Sequence, residues 1–325
     1  MSFSYKTKIE LSKLPLQNEC CYLAELSAII RTAGTIFLEN GKLGVLIRTE
    51  IPEVYAKINT ILEKLYGFSV ELELAEDEAY YFNVRYEIKI STEHASEVLT
   101  DCGIIYLDDN HQTEFNVGID KYIVMDDCCK KSYIRGAFIG CGTTNIVLSD
   151  QSEKVDRINS GYHLEFVFSN DALATDFAML LAEFDIISKK VERRASYIVY
   201  LKEGEIISDL LALMGASHSV LELQNEITFR SLRNQVNRQN NCLTANIGKV
   251  VNASLKQLNA IETIKQIIGI QQLPLPLQEA AMLRLANPEE SLDNLVKLSA
   301  APITKSGLNH RLKRLIEIAD ELNSK

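Results

Sequence analysis

The sequence contains no tryptophan and only six prolines, and its seven cysteines are an odd number. No stretch approaches the roughly 20 consecutive apolar residues that a helix needs to span a bilayer. The first residues, Met1 to Lys6, lack the apolar core of a secretion signal. These absences predict a cytoplasmic protein without a membrane partner.

The cysteines also lack the spacing of a metal site. Zinc ligands commonly come in pairs separated by two residues, whereas both cysteine pairs here are directly adjacent. We therefore predict reduced, mostly buried thiols, no bound metal ion and no cofactor. The cysteines are Cys20, Cys21, Cys102, Cys128, Cys129, Cys141 and Cys242.

Positive charge is scarce, and its distribution is uneven. The net charge of −10 by itself argues against nucleic acid as a partner. The deficit lies in residues 1–226, which hold 21 lysines and arginines against 36 acidic residues, whereas residues 227–325 hold 13 against 8. Since 325 residues suffice for more than one domain, we expect an acidic and a basic module joined in one chain.

The basic module ends in a segment with the pattern of a DNA-recognition helix. Its apolar residues recur at helical spacing and predict a buried stripe formed by Leu308, Leu312, Leu315 and Ala319. The polar residues between them supply positive charge for phosphates and forked or amide donors for base edges. We predict DNA contacts from Lys305, Ser306, Asn309, His310, Lys313 and Arg314.

The residue types suggest different roles within this set. The cations suit phosphate or guanine, the amide and the imidazole suit base edges, and the serine suits a phosphate near the helix start. Arg311 falls nearer the apolar side and is expected to brace the fold. The alternative is that Lys313 and Arg314 form only a solvated face, since cations are favoured in the C-terminal half of any helix.

Two shorter helices are predicted directly before this one. The sequence Asn287-Pro288-Glu289-Glu290 is typical of a helix start, and Pro302 predicts that this helix ends near Ala300 or Ala301. A further helix is expected from about Leu277 to Ala286. Three short helices with a tight connection between the last two predict a helix-turn-helix domain over residues 273–325.

Residues 1–220 are predicted to form a duplicated α+β domain. The order αββαββα occurs twice, over about residues 15–110 and 125–217. The connections are short enough for antiparallel hairpins, which predicts one sheet per repeat. The predicted helices are 20–33, 52–66, 92–101, 129–141, 170–184 and 203–214. The predicted strands are 35–37, 44–49, 69–74, 81–90, 143–148, 162–168, 189–193 and 195–202.

Residues 221–272 are predicted to be an all-α linker of two helices, one from about Glu222 and one from about Thr244 to Ile268. A stripe of amides and guanidinium groups recurs at helical spacing on the first of them. A second DNA contact and a hydrogen-bonded seam between domains are equally supported interpretations. The stripe consists of Arg230, Asn234, Asn237, Arg238 and Asn241.

Several segments resemble known families. Residues 26–34 (LSAIIRTAG) and 134–142 (IRGAFIGCG) resemble the LAGLIDADG helix of homing endonucleases. Together with residues 241–246 (NCLTAN) and 309–312 (NHRL), they make essentially the whole chain similar to the WhiA family. That resemblance implies a bacterial DNA-binding protein in which a LAGLIDADG-like domain precedes a helix-turn-helix. It also implies a link to cell division and chromosome segregation, and to sporulation in filamentous relatives.

The resemblance does not extend to the nuclease acids. In LAGLIDADG nucleases the acid before the last glycine of each motif holds divalent metals, and Ala33 and Cys141 stand there in this chain. Arg31 and Ile139 replace the other acid. Hard cations need oxygen ligands, so we expect no enzyme activity. The alternative is a metal-dependent endonuclease rebuilt from displaced acids, although surface or capping roles are expected for Glu25, Asp126 and Asp127.

These observations predict a sequence-specific regulator of transcription that binds double-stranded DNA on the nucleoid. The acidic N-terminal domain is expected to contact a protein partner or a second copy of the chain, and RNA polymerase is a further possible partner. The remaining interpretation is a cell-division scaffold whose DNA binding is incidental.

Overall fold

The computed structural model describes residues 1–15, 18–74, 85–108, 112–146 and 161–324. The chain divides into two compact units, the first unit Met1–Phe229 and the second unit Arg230–Lys325. Among the helices of the described residues, none has the length and hydropathy needed to cross a lipid bilayer.

The first unit contains the order αββαββα twice, as the sequence predicts. A short helix, α1 (Phe3–Ser12), precedes the repeats and was not expected. The first repeat comprises α2 (Glu19–Ala33), β1 (Gly34–Glu39), β2 (Lys42–Thr49), α3 (Pro52–Tyr66), β3 (Leu72–Leu74), β4 (Tyr86–Ile90) and α4 (Ala95–Asp101). An unpredicted hairpin of β5 (Ile105–Leu107) and β6 (Thr113–Phe115) follows. The second repeat comprises α5 (Asp127–Cys141), β7 (Gly142–Thr144), β8 (Leu164–Phe168), α6 (Asp171–Ala182), β9 (Lys189–Arg193), β10 (Ser196–Leu201) and α7 (Gly204–Met214).

Each repeat forms one four-stranded antiparallel sheet, and the two sheets share the same strand order. The orders are β1-β2-β4-β3 and β7-β8-β10-β9. Two-residue turns close β1–β2 and β9–β10, and their residues have positive φ: 51° at Asn40 and 77° at Gly41, then 49° at Arg194 and 61° at Ala195. Such turns match the right-handed twist of paired strands. The predicted strand residues 81–84 and 147–148 lie outside the described residues.

The helices α2 and α5 pack against each other through small residues. A Cβ added at Gly136 would overlap the carbonyl oxygen of Glu25, and one at Gly140 would overlap the hydroxyl of Thr32. The glycines of the second LAGLIDADG-like segment therefore serve close helix packing. Around this pair the hydrophobic core of the first unit extends onto both sheets and α1.

We expect Gly136→Ala to lower the free energy of unfolding of the first unit by about 1–3 kcal/mol. The added methyl group meets backbone that cannot move aside, and this outweighs the gain in helix propensity. Urea unfolding of the full chain measures the effect. The matched control is Gly161→Ala, where a Cβ meets nothing within 4 Å. Equal stability of the two variants would contradict the packing argument.

The surface or capping role predicted for Glu25 is wrong. Glu25 is fully buried on α2, with Oε1 3.4 Å from Lys57 Nζ and Oε2 3.2 Å from Arg135 Nη1. Burial raises the pKa of Glu25, and the two cations oppose that shift. Of the other acids, Asp126 stands at the N-cap of α5 without a side-chain capping bond, and Asp127 pairs with Lys130 at 3.2 Å.

The predicted break near residue 244 is wrong, because one helix, α8 (Ser217–Ile267), covers the whole stretch. The second unit contains most of α8 and continues with α9 (Leu275–Ala286), α10 (Leu292–Leu298) and α11 (Lys305–Asn323). Its own hydrophobic core consists of Ala260, Ile261, Ile264, Leu273, Ala280, Ala281, Leu295, Leu308, Leu312, Leu315 and Ala319. The end of the predicted linker is therefore part of this core.

The helix start predicted at Asn287 is also wrong. Asn287 is the C-cap residue of α9, and Ser291 caps α10 by accepting a hydrogen bond from the Asn294 N–H at 3.3 Å. The segment between them is held by the buried Arg284, whose Nη1 donates to the carbonyl oxygens of Asn287 and Glu290. That tertiary contact overrides the local capping signal. The helix ends at Leu298 rather than near Ala300.

Candidate nucleic-acid interface

The helix α11 lies on the core of the second unit as the apolar spacing predicts. Leu308, Leu312, Leu315 and Ala319 are all buried. Thr304 caps the helix, and its hydroxyl accepts a hydrogen bond from the Gly307 N–H at 3.1 Å. The cap fixes the first residue of the helix at Lys305 and so sets which residues face away from the core.

Five of the six predicted DNA-contact residues lie on the side of α11 that faces away from this core, whereas Lys305, the first residue of the helix, is exposed but lies nearer the buried stripe. Asn309 is partly exposed, and the other five are exposed: Lys305, Ser306, His310, Lys313 and Arg314. Arg311 is half-buried, and its Nη1 lies 3.5 Å from Glu279 Oε2 on α9. It braces the fold, as expected. The geometry supports contact by the six residues, and their contact with DNA stays a prediction.

Two of the predicted cations are already paired with carboxylates. Lys305 Nζ lies 2.6 Å from Asp293 Oδ2 on α10. Arg314 Nη1 lies 2.8 Å from Glu317 Oε2 and 3.6 Å from Glu321 Oε1, and the hydrogen bond to Glu317 raises the pKa of Arg314. Lys313 has no ion pair among the residues that the structure describes. Lys313 is therefore the cation of this face most readily available to a phosphate.

The acidic residues of α11 limit the surface that DNA can approach. Glu317, Asp320 and Glu321 occupy the second half of the helix, and all three are exposed. At about 100° per residue, Glu317 and Glu321 project from the same side as Arg314. These carboxylates are not part of the predicted site, although their helical spacing from Arg314 is visible in the sequence. The candidate interface is thus the first half of α11, from Lys305 to Arg314.

Positive charge in the second unit is concentrated on α8. Residues 273–325 contain seven lysines and arginines and seven acidic residues, so the helix-turn-helix part is neutral. Residues 227–261 contain five cations and no acid. The predicted stripe lies here: Arg230 is partly exposed, and Asn234, Asn237, Arg238 and Asn241 are exposed. Because polyanion binding depends on local charge, this acid-free stretch of α8 suits phosphates better than the rest of the unit.

The opposite side of α8 is apolar and also exposed. Phe229, Leu232 and Val236 keep 48%, 58% and 53% of their surface accessible. The three residues lie on one side of the helix. The amide and guanidinium stripe lies about half a turn away from them.

The degenerate nuclease positions lie at the C-terminal ends of α2 and α5. Ala33 is the last residue of α2, and Cys141 is the last residue of α5. Neither supplies an oxygen ligand. Arg31 is mostly buried, and its guanidinium donates hydrogen bonds to the carbonyl oxygens of Asn116 and Gly103, which makes it a structural brace.

A lysine lies near the C-terminal ends of these two helices. A cavity of about 310 Å³ lies between the ends of these helices, and its lining includes Lys8 of α1, Ala33 and Glu50. Burial lowers the pKa of Lys8, while its interactions with Cys141 and Glu50 oppose that shift. The amine of Lys8 supplies no oxygen ligand for a hard cation at this place.

Comparison with known proteins agrees with this arrangement. The family model of the WhiA N-terminal LAGLIDADG-like domain matches residues 19–105, that of the WhiA LAGLIDADG-like domain matches residues 130–233, and that of the WhiA C-terminal HTH domain matches residues 236–319. The chain therefore carries both kinds of domain, in the expected order.

Curated relatives cover the whole chain. A protein of Clostridium botulinum (strain Hall), named probable cell division protein WhiA, is 40% identical over 99% of both chains. A protein of the same name from Alkaliphilus metalliredigens is 38% identical over all of this chain and 99% of its own length. The crystal structure of full-length WhiA from Thermatoga maritima shares the fold, with a TM-score of 0.58, 23% identity and coverage of 99% of both chains. This chain belongs to the WhiA family.

Proposed function

We propose that this protein is a sequence-specific DNA-binding regulator of transcription that reads double-stranded DNA with the first half of α11. The observation that carries the proposal is the exposed polar face of that helix within a helix-turn-helix, opposite a fully buried apolar stripe. A recognition helix of this kind places its N-terminal residues against base edges in the major groove. We assign Asn309 and His310 to base edges, and Lys313 to phosphate or guanine.

The acid-free stretch of α8 supports this function. The helix-turn-helix part carries no net positive charge, so α11 alone supplies little of the sequence-independent attraction that DNA binding requires. Arg230 and Arg238, together with the neighbouring amides, are proposed to contact phosphates and thereby strengthen binding without reading sequence.

We further propose that the protein does not cut DNA. Ala33 and Cys141 cannot replace the metal-binding carboxylates, and the nearby Lys8 offers no oxygen ligand. At the level of the cell, the relatives' name supports a role in cell division, and we extend this to chromosome segregation on the nucleoid. The acidic first unit is proposed to contact a protein partner, with a homodimer or RNA polymerase as the first to test.

Binding of the full chain to genomic duplex fragments tests this function. We expect affinity to fall steeply with salt, and the double variant Lys313→Ala with Arg314→Ala to bind about 10-fold or more weakly with a shallower salt dependence. The control variant Lys42→Ala with Lys64→Ala also removes two exposed cations, but from the first unit, and should bind like the wild type.

The same assay separates the rival functions. Addition of Mg²⁺ should leave the duplex intact, and Mg²⁺-dependent cleavage would establish the endonuclease instead. If the wild type fails to bind any fragment, the regulator is excluded. If binding depends on Lys313 but its loss leaves cell division normal, the scaffold with incidental DNA binding is favoured.

Removal of carboxylates from α11 should strengthen DNA binding, whereas removal of its cations should weaken it. We expect Glu317→Gln with Glu321→Gln to bind duplex about 10-fold more tightly at low salt, because two repulsive charges disappear and Arg314 is released from its ion pairs. The gain should shrink as salt screens these exposed charges. Glu19→Gln with Glu63→Gln removes two exposed charges from the first unit as a control. Unchanged or weaker binding would show that DNA does not approach this face.

A further inference from the structure

Four of the seven cysteines come together in the first unit. Cys20 and Cys21 are the second and third residues of α2, and Cys128 and Cys129 are the second and third residues of α5. Their four Sγ atoms all lie within 4.8 Å of one another. Sequence spacing could not reveal this cluster, because the two pairs are more than 100 residues apart and neither pair has zinc spacing by itself.

The duplication explains how two adjacent pairs make a four-membered cluster. Both pairs stand at the same point of their repeat, in the first turn of the central helix. Because α2 and α5 pack against each other, their first turns bring the two pairs face to face. Cys21 and Cys129 are buried, and Cys20 and Cys128 are exposed. The cluster is thus half embedded in the core and half open to solvent.

The spacing of the sulfur atoms fits a single tetrahedral ion. Zinc–sulfur bonds of about 2.3 Å place the sulfur atoms of a tetrahedral site about 3.8 Å apart. Cys128 Sγ and Cys129 Sγ are 3.9 Å apart, and no pair in the cluster exceeds 4.8 Å. An iron–sulfur cluster binds its cysteines through several iron atoms and spreads them further apart.

The positions of the cysteines on their helices also suit an ion bound through thiolates. The four residues lie in the first turns of α2 and α5, where the partial positive charge of the helix N-termini stabilises anions. The hydroxyl of the buried Ser132 hydrogen-bonds to Cys21 and can orient its sulfur atom. Cysteine thiolates are the ligands that zinc prefers in structural sites.

We propose that Cys20, Cys21, Cys128 and Cys129 bind one zinc ion, which joins the first turns of α2 and α5. Each zinc–sulfur bond replaces an S–H bond, and the protons pass to solvent. Four protein ligands leave no open coordination position, so the site is structural rather than catalytic. It ties the two repeats together at the ends of the helices opposite to the degenerate nuclease positions.

Metal content and cobalt spectroscopy of the full chain test the site. Protein purified without chelator should contain one zinc per chain by mass spectrometry. After removal of zinc under anaerobic reducing conditions, addition of Co²⁺ should give the intense visible bands of tetrahedral cobalt thiolate, saturating at one equivalent. The variant Cys20→Ser with Cys128→Ser should bind Co²⁺ more than about 100-fold more weakly, since loss of direct ligands exceeds the effect of changing outer-shell partners.

The exposed pair is chosen so that the variant still folds. Circular dichroism should show an unchanged helix content, and Cys242→Ser, which removes an exposed thiol of α8, should retain full zinc content. The proposal is overturned if the wild type binds no more Co²⁺ than the double variant, or if the purified protein contains iron instead of zinc. It is also overturned if the purified protein contains no metal and its four cysteines oxidise to disulfides in air.

Discussion

Replacement of Glu25 by leucine is expected to lower the free energy of unfolding of the first unit by about 3–5 kcal/mol. Glu25 is fully buried, and its carboxylate is shared by Lys57 on α3 and Arg135 on α5, which are themselves only 6% and 13% exposed. Removal of the carboxylate leaves two cations buried without their counter-charge. A buried charge that loses its partner costs more than the intact pair contributes.

The cations connect this carboxylate to distant parts of the unit. Lys57 Nζ donates to the carbonyl oxygen of Leu14 at 2.5 Å, and Arg135 Nε donates to that of Met214 at 2.9 Å. The network therefore joins the segment after α1 and the end of α7 to the central helices. Loss of Glu25 should weaken all of these connections together, which is why the expected effect lies at the upper end for a single substitution.

Urea unfolding measures the change in the free energy of unfolding. The transition is monitored by circular dichroism and by the fluorescence of a probe attached to the first unit. Glu19→Gln, an exposed acid on the same helix, should remain within about 0.5 kcal/mol of the wild type. The double variant Glu25→Leu with Arg135→Leu should recover part of the loss, because one uncompensated charge is removed. A loss below about 1 kcal/mol for Glu25→Leu would show that the cations are solvated or neutral without it.

The features that sequence predicts well depend on short-range patterns. The αββαββα repeat and the buried stripe of α11 follow from periodicities of two and 3.6 residues, and both are confirmed. The two-residue turns come directly from local chemistry, as at Asn40-Gly41. In such segments the local preference and the tertiary environment agree, so the pattern alone suffices.

The features that sequence misses depend on contacts between distant segments. The start of α10 at Ser291 rather than Asn287 reflects the hydrogen bonds from Arg284. The continuous α8 is a separate case: it lacks the break that its polar composition suggests, and since most of its middle is exposed, burial against another segment does not explain its continuity. Only three of the seven thiols are buried, contrary to expectation, and four of the seven meet at the first turns of two packed helices. None of these contacts leaves a signal in local spacing.

Two adjacent residues of α11 separate stability from recognition. Leu312 is fully buried in the core of the second unit, and Lys313 is exposed on the other side of the helix. We expect Leu312→Ala to lower the free energy of unfolding of the second unit by about 3–5 kcal/mol through lost burial and the resulting cavity. Lys313→Ala should change it by less than about 0.5 kcal/mol.

Both variants should bind DNA more weakly than the wild type, but for different reasons. Leu312→Ala should lose affinity in proportion to the unfolded fraction of the second unit, and lower temperature or an added osmolyte should restore it. Lys313→Ala should lose affinity while fully folded, and neither condition should restore it, because a phosphate contact is missing. Recovery of Lys313→Ala under stabilising conditions would mean that this residue acts through the fold, and the proposed interface on α11 would then have to be abandoned.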